Sequence, residues 1–275
     1  MYYPVIDKVI VELGPLSIRW YGLMYVLGVA VFYLLGKRRI RRGLATWRVQ
    51  DLADLVFYGV VGVIVGGRLG FVLFYGIDTF LRDPLMPLRI WEGGMSFHGG
   101  LLGVIAACWV FAKRSQRSFL AIADFAAPLA PLGLGLGRLG NFINAELPGR
   151  VTELPIGVYF PCDSVRELTM RCFGEYEAVT RHVSSLYQAA SDGVVLFLVV
   201  WLFAAKPRAA GQVSAVFLLV YGCLRFLTEF VREPDPGRGF VALDWMTTGQ
   251  LLSVPMVALG VVLMLRRRPA NQTPA

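Results

Sequence analysis

A few ionisable side chains stand inside otherwise apolar stretches of this 275-residue sequence. Arg68, Arg138 and Arg225 interrupt runs of Val, Leu, Ile, Phe and Gly, and Tyr221 and Glu229 flank Arg225 four residues to either side. Tyr21 opens one such run and His98 lies near the start of another. Charges in apolar surroundings are costly, so their default reading is functional. Guanidinium donates two parallel hydrogen bonds to phosphate oxygens, which suits it better than an ammonium for holding that group. Three arginines against Glu229 leave positive charge uncompensated, and a buried cation without a partner is expensive. A lipid phosphate is the anion expected to balance it. Tyr221, Arg225 and Glu229 share one helix face and are expected to line the site, with a buried structural pair as the competing reading. His98 carries an imidazole, a side chain suited to proton transfer.

The elements that must hold these groups follow from composition. Hydrophobic residues make up 56% of the chain and charged ones 17%, outside the range of soluble domains. A bilayer core takes roughly 20 apolar residues per helix, and seven runs qualify: about 20–36, 52–76, 93–112, 119–144, 189–205, 212–230 and 247–265. The expected fold is an all-α integral membrane protein of seven transmembrane helices, a single membrane domain over 1–275. A small head at 145–190 lies between the fourth and fifth helices, with short arms at 1–19 and 77–92. The first run starts beyond residue 15 without a basic leader, unlike a cleaved signal peptide.

Loop charge sets the orientation. Residues 37–50, 113–118, 206–211 and 266–275 hold 14 Lys/Arg and no acid. The alternate regions 1–19, 77–92, 145–192 and 231–246 hold 10 Lys/Arg and 15 acids. Positive charge stays on the cytoplasmic side, so the amino terminus is expected outside and the carboxyl terminus inside a bacterial inner membrane. The net charge of +8 is thereby a topology signal, and no nucleic-acid partner is expected. On this orientation Arg68, Arg138, Arg225 and His98 all fall in the outer half of the bilayer, at ~1.5 Å of depth per residue.

Competing motifs fall away. GLGRLG at 135–140 has the spacing of a dinucleotide loop but lacks the strand that loop needs. Its glycines are expected to let Arg138 approach its neighbours. Gly62/Gly66, Gly66/Gly70 and Gly99/Gly103 are helix-packing pairs. Ser96 and His98 invite a hydrolase reading, but no G-x-S-x-G elbow is present. His98 and His182 are the only histidines, without metal-ligand spacing, so neither metal nor cofactor is expected. Cys162 and Cys172 share the outer loop, where a disulfide and separate thiols both remain open.

GRLGNFINAELPG at 137–149 resembles the signature of the phosphatidylglycerol–prolipoprotein diacylglyceryl transferases. WYGLMY (20–25), GGRLGFVLFY (66–75), GGMSFHGG (93–100) and YGCLRFLTEFVREP (221–234) extend the resemblance along the whole chain. It implies transfer of the diacylglyceryl group of phosphatidylglycerol to the lipobox cysteine of signal-peptide-bearing prolipoproteins. A thioether forms and glycerol phosphate leaves. The resemblance gives Arg138 and Arg225 the phosphate and matches His98 to the histidine proposed as base for the thiol, with another group left open for that proton; Tyr221 and Glu229 match further positions implicated in activity. Tyr21, Arg68, Asn141, Asn144, Glu146 and Gly149 are the expected substrate-binding positions, and the enzyme is expected to be a monomer. RHVSSLYQ (181–188) departs from the family's RHPSQLYE at Val183 and Ser185, and Pro148 stands where an aromatic is common. The alternatives are an anion or lipid transporter using the arginines, or a diverged non-catalytic lipid-binding copy. The transporter needs polar residues through to the inner side, where Asp51, Asp54 and Asp124 stand only at the helix ends.

Overall fold

The computed structural model describes residues 1–14, 16–90, 93–166, 168, 172, 174–234 and 239–266. All but one of the basic residues expected at the carboxyl terminus, and parts of the 77–92 and 231–246 segments, lie outside these. Helices dominate, and the chain divides into two compact units, one of Met1–Leu35 with Ala126–Pro274 and one of Gly36–Phe125.

Contrary to the all-α expectation, the amino-terminal arm is a hairpin of β1 (Val9–Leu13) and β2 (Leu16–Arg19), antiparallel. VIVEL and LSIR are rich in β-branched residues, and Gly14 takes the left-handed conformation between them, φ 61°. Helix α1 (Trp20–Arg41) follows directly and ends in Arg38, Arg39 and Arg41, cations that complement its carboxyl-terminal dipole.

The second unit is built on α2 (Val49–Tyr75) and α4 (Phe97–Arg114), joined through the short α3 (Ile77–Arg82) and a 3₁₀ turn at Met86–Leu88. Asp51 reaches back to the Arg48 backbone N–H at 3.1 Å and caps α2. The packing pairs expected from the glycines are present. A Cβ on Gly62, Gly66 or Gly70 would meet backbone of Gly99 or Gly103, so α2 and α4 touch backbone to backbone. Helix α4 starts four residues later than its apolar run. Gly93 and Gly94 hold φ 82° and 78°, and Ser96 then caps the helix by accepting from the Gly99 N–H at 3.3 Å. That cap gives Ser96 a structural function.

The run expected as one helix at 119–144 is broken into α5 (Phe119–Ala126) and α6 (Pro131–Ile143). Pro128 and Pro131 account for the break, because a proline disfavours helix at the residue before it and removes an N–H. In the first unit, β3 (Val158–Pro161), α7 (Cys162–Val165) and β4 (Tyr176–Arg181) form a small antiparallel hairpin after α6. Cys162 and Cys172 are joined as a disulfide. Tyr3, Val158, Phe160, Val165 and Val183 make the core of this region, so Val183 is accommodated by apolar packing where the family has proline. Residues 1–3 run along β3: the Tyr3 N–H donates to Tyr159 O at 3.0 Å and the Tyr159 N–H to Met1 O at 2.9 Å.

Helix α8 (Ser184–Gln188) continues through a π-helical stretch, Ala189–Val195, into α9 (Leu196–Phe203). Helix α10 (Gln212–Thr228) packs against α11 (Thr248–Leu265). A Cβ on Gly222 would meet Val257, and one on Gly260 would meet Leu219. All seven apolar runs are thus helical. By length and composition four of the described helices suffice to cross a bilayer, or five if α5 and α6 count as one broken span. Their outer faces expose large apolar side chains such as Val26, Leu34, Phe57, Leu73, Leu202 and Val262, the surface a lipid-facing helix presents.

Candidate functional site

Helix α6, the π-helical stretch and α10 bring charged groups together in the first unit. Arg225 Nη2 lies 2.5 Å from Glu229 Oε1, and Arg232 Nη1 lies 3.1 Å from the same oxygen. Thr247 Oγ1 donates to Glu229 Oε2 at 2.7 Å. The same hydroxyl accepts from the Gln250 N–H and caps α11, so the start of α11 is tied to the carboxylate. Arg138 Nε stands 3.9 Å from Asp192 Oδ2. The Tyr221 hydroxyl sits in the field of Arg138, Arg225 and Asp192.

Exposure separates the roles. Glu229 and Asp192 are sealed at 1% and 0%, whereas the side chains of Arg138 and Arg225 are 22% and 13% exposed. Neither arginine is saturated. The 3.9 Å contact of Arg138 is beyond hydrogen-bond length, and Arg225 Nη1 has no hydrogen-bond partner among the described residues. Arg138 is the more exposed of the two, and the unpartnered Nη1 of Arg225 is itself a buried atom; over the buried carboxylates the pair offers guanidinium charge to an anion with several oxygens.

The signature adjoins this cluster through α6. Asn141 Nδ2 and Asn144 Nδ2 donate to the two oxygens of Glu146, at 2.8 and 3.0 Å. The chain reverses there through Ala145 and Leu147, at φ 54° and 57°. Tyr21 lies over Gly140, where a Cβ would meet its ring, and its hydroxyl is 3.4 Å from that of Tyr25. Gly149, expected to bind substrate, is instead buried in a backbone crossing. Its N–H donates to His182 O at 2.9 Å, and a Cβ would meet His182 and the Val231 carbonyl. That crossing pins the end of the signature to the segment that carries Arg232.

Arg68 and His98 belong to the second unit. Arg68 is buried, and its five N–H groups go to backbone carbonyls. Nε donates to Pro87, Nη2 to Met86 and Arg89, and Nη1 to Gly93 and Gly94. A guanidinium has five donors, so the phosphate role expected of Arg68 has none left to use. It staples the loop between α3 and α4. His98 is exposed, the second residue of α4, with its ring edge-on to Phe97 at 5.6 Å.

Three members of the cluster escape the sequence reading. Asp192 is counted there among the outer-loop acids, because its apolar run is started only three residues earlier; an acid inside such a run was the available signal. Arg232 and Thr247 lie beyond the helix ends, where sequence spacing does not reveal that both reach Glu229.

Comparison with known proteins gives the family. The family model described as prolipoprotein diacylglyceryl transferase matches residues 8–266. The chain belongs to that family. Among relatives named phosphatidylglycerol–prolipoprotein diacylglyceryl transferase, one from Solidesulfovibrio magneticus is 51% identical over 267 residues, covering 97% of each chain. One from Pseudomonas aeruginosa is 49% identical over 275 residues, covering 99% of this chain and 98% of the relative. One from Xanthomonas axonopodis pv. citri is 48% identical over 282 residues, covering 99% and 95%.

Proposed function

We propose that the protein transfers the diacylglyceryl group of phosphatidylglycerol to the cysteine thiol of a prolipoprotein. The thiolate sulfur attacks the glyceryl carbon that carries the phosphate ester. A C–S bond forms, the C–O bond to phosphate breaks, and glycerol phosphate leaves with the electron pair. Arg138 and Arg225 hold the phosphate and stabilise the charge that grows on it, so their binding strengthens towards the transition state. The observation that carries this reading is the pair of guanidiniums with unused donors, in contrast to the saturated Arg68. Tyr221 adds a hydroxyl beside them, and Glu229 fixes Arg225.

A free thiol ionises near pKa 8.5, so a base or positive field raises its nucleophilic fraction. The family resemblance makes His98 a candidate for the thiol proton. Tyr21, Asn141, Asn144 and Glu146 form the substrate-facing edge, with the two amides holding the Glu146 carboxylate. The nucleophile belongs to the substrate, and the chemistry calls for no metal or cofactor.

The multi-pass helices serve as seven spans of the bacterial inner membrane, with the amino terminus outside, the carboxyl terminus cytoplasmic and residues 145–190 as a periplasmic head. The protein acts as a monomer. In the test, the purified protein is mixed with phosphatidylglycerol and a lipobox peptide, and the peptide is weighed by mass spectrometry. A gain of one diacylglyceryl group on the cysteine is the expected result; an unmodified peptide from folded protein overturns the assignment.

A further inference from the structure

The carboxylate of Asp192 is fully buried. The chain leaves α-helical geometry at Ala189–Val195, directly around it. π-Helical turns are rare and recur at functional sites. Here the widened turn lies against α6. A Cβ on Gly193 would stand 2.7 Å from Gly135 Cα, and one on Gly135 would stand 2.8 Å from Gly193 Cα. The two backbones therefore meet one residue after Asp192 and three before Arg138. Oδ1 of Asp192 accepts from Ser191 Oγ at 3.1 Å. Oδ2, which faces Arg138 Nε at 3.9 Å, has no hydrogen bond among the described residues. Asp192 also lies in the field of Arg225 and Glu229.

We infer that Asp192, held by the π-helical turn and the Gly135–Gly193 contact, is a positioning residue that aims the Arg138 guanidinium and trims the charge of the phosphate site. At 0% exposure it touches no substrate and acts through Arg138. With it, three guanidiniums (Arg138, Arg225 and Arg232) face two carboxylates (Asp192 and Glu229); without it they face one. Removing its charge has two opposed effects. The site attracts a ground-state phosphate more strongly, and Arg138 loses the buried anion whose charge, 3.9 Å from its Nε, draws it into place. Ground-state binding then rises while turnover falls, a combination that a packing defect does not produce.

This inference rests on the transferase reading, so the test has two arms. In the first, thioether formation is followed with purified protein as phosphatidylglycerol is varied. Asp192→Asn is expected to lower kcat at least tenfold and KM for phosphatidylglycerol about threefold, and Asp192→Glu to restore KM and recover part of kcat. In the second, binding of short-chain phosphatidylglycerol is measured by calorimetry without peptide. Asp192→Asn is expected to bind about threefold tighter, with the gain lost at high salt. Wild-type kcat, KM and binding in Asp192→Asn overturn the inference. So does a fall in Vmax at unchanged KM that Asp192→Glu shares. Tighter binding by Asp192→Asn when even the wild type makes no thioether overturns the transferase reading and leaves the positioning role standing.

Discussion

At the scale of single residues, what each arginine does follows from where its donors go. Arg68 has none free, and Arg138 and Arg225 keep some. Position in an apolar run ranked the three alike, and only the family resemblance set Arg68 apart as a substrate-binding position, because a cation in such a run looks the same whether carbonyls or a ligand satisfy it. Arg68→Met would take the guanidinium from five carbonyls of the α3–α4 loop, of which Met86 O keeps the Arg89 N–H. Breaking a buried charged network of this kind costs about 3 kcal/mol or more, so the variant is expected to melt well below wild type by thermal denaturation in detergent; an unchanged Tm contradicts the stapling role. Glu229→Gln strands Arg225 and Arg232 without their shared anion. It is expected to lose stability on the same scale and turnover with it, read from Tm and from thioether formation on the folded fraction. Tyr3 yields a pH test. Burial, foremost, raises its phenol above the ordinary value, so the folded state favours the neutral form. The unfolded phenol ionises near pKa 10. The stability Tyr3 contributes is therefore complete below about pH 10 and is lost as pH climbs from there towards the raised folded value. Tyr3→Phe should make the alkaline fall of Tm shallower, and an identical slope contradicts it.

At the scale of elements, the helices were legible and their interruptions were not. Each of the seven apolar runs is helical, one of them in two pieces, because lipid-facing helices must satisfy every backbone group internally. The glycine pairs of α2 and α4 were legible for the same physical reason: close helix packing needs small residues at a spacing of four. Gly103→Val should separate those helices, since a Cβ there meets the Gly62 carbonyl. The expected result is a lower Tm or loss of monodisperse protein in size exclusion, and wild-type behaviour contradicts the contact. The short strands, the break at Pro128–Pro131 and the π-helical turn were missed. Each depends on local backbone geometry and on what packs against it, which hydropathy does not register. Asp192 went with the turn, because a boundary misplaced by a few residues assigned it to a loop. The signature's polar residues were legible as a set through resemblance, but the chelation of Glu146 by two amides and the backbone crossing at Gly149 needed coordinates.

For the whole molecule, the loop charges predict which ends face the cytoplasm, and the family gives the chemistry that we propose for the first unit's cluster. In a background with Cys108 and Cys223 replaced by serine, Ser115→Cys should be shielded from an impermeant thiol reagent added to intact cells, whereas Arg166→Cys should react; reversed labelling contradicts the topology. The central claim remains that two guanidiniums with unused donors hold the phosphate of the lipid donor during transfer. Its most direct test is the turnover of Arg138→Ala and of Arg225→Ala, each purified and shown to be folded, with phosphatidylglycerol and a lipobox peptide. Removing such a transition-state donor typically costs about 10²–10³ in rate, so each variant is predicted to fall at least 100-fold below wild type. Wild-type turnover in both contradicts the account.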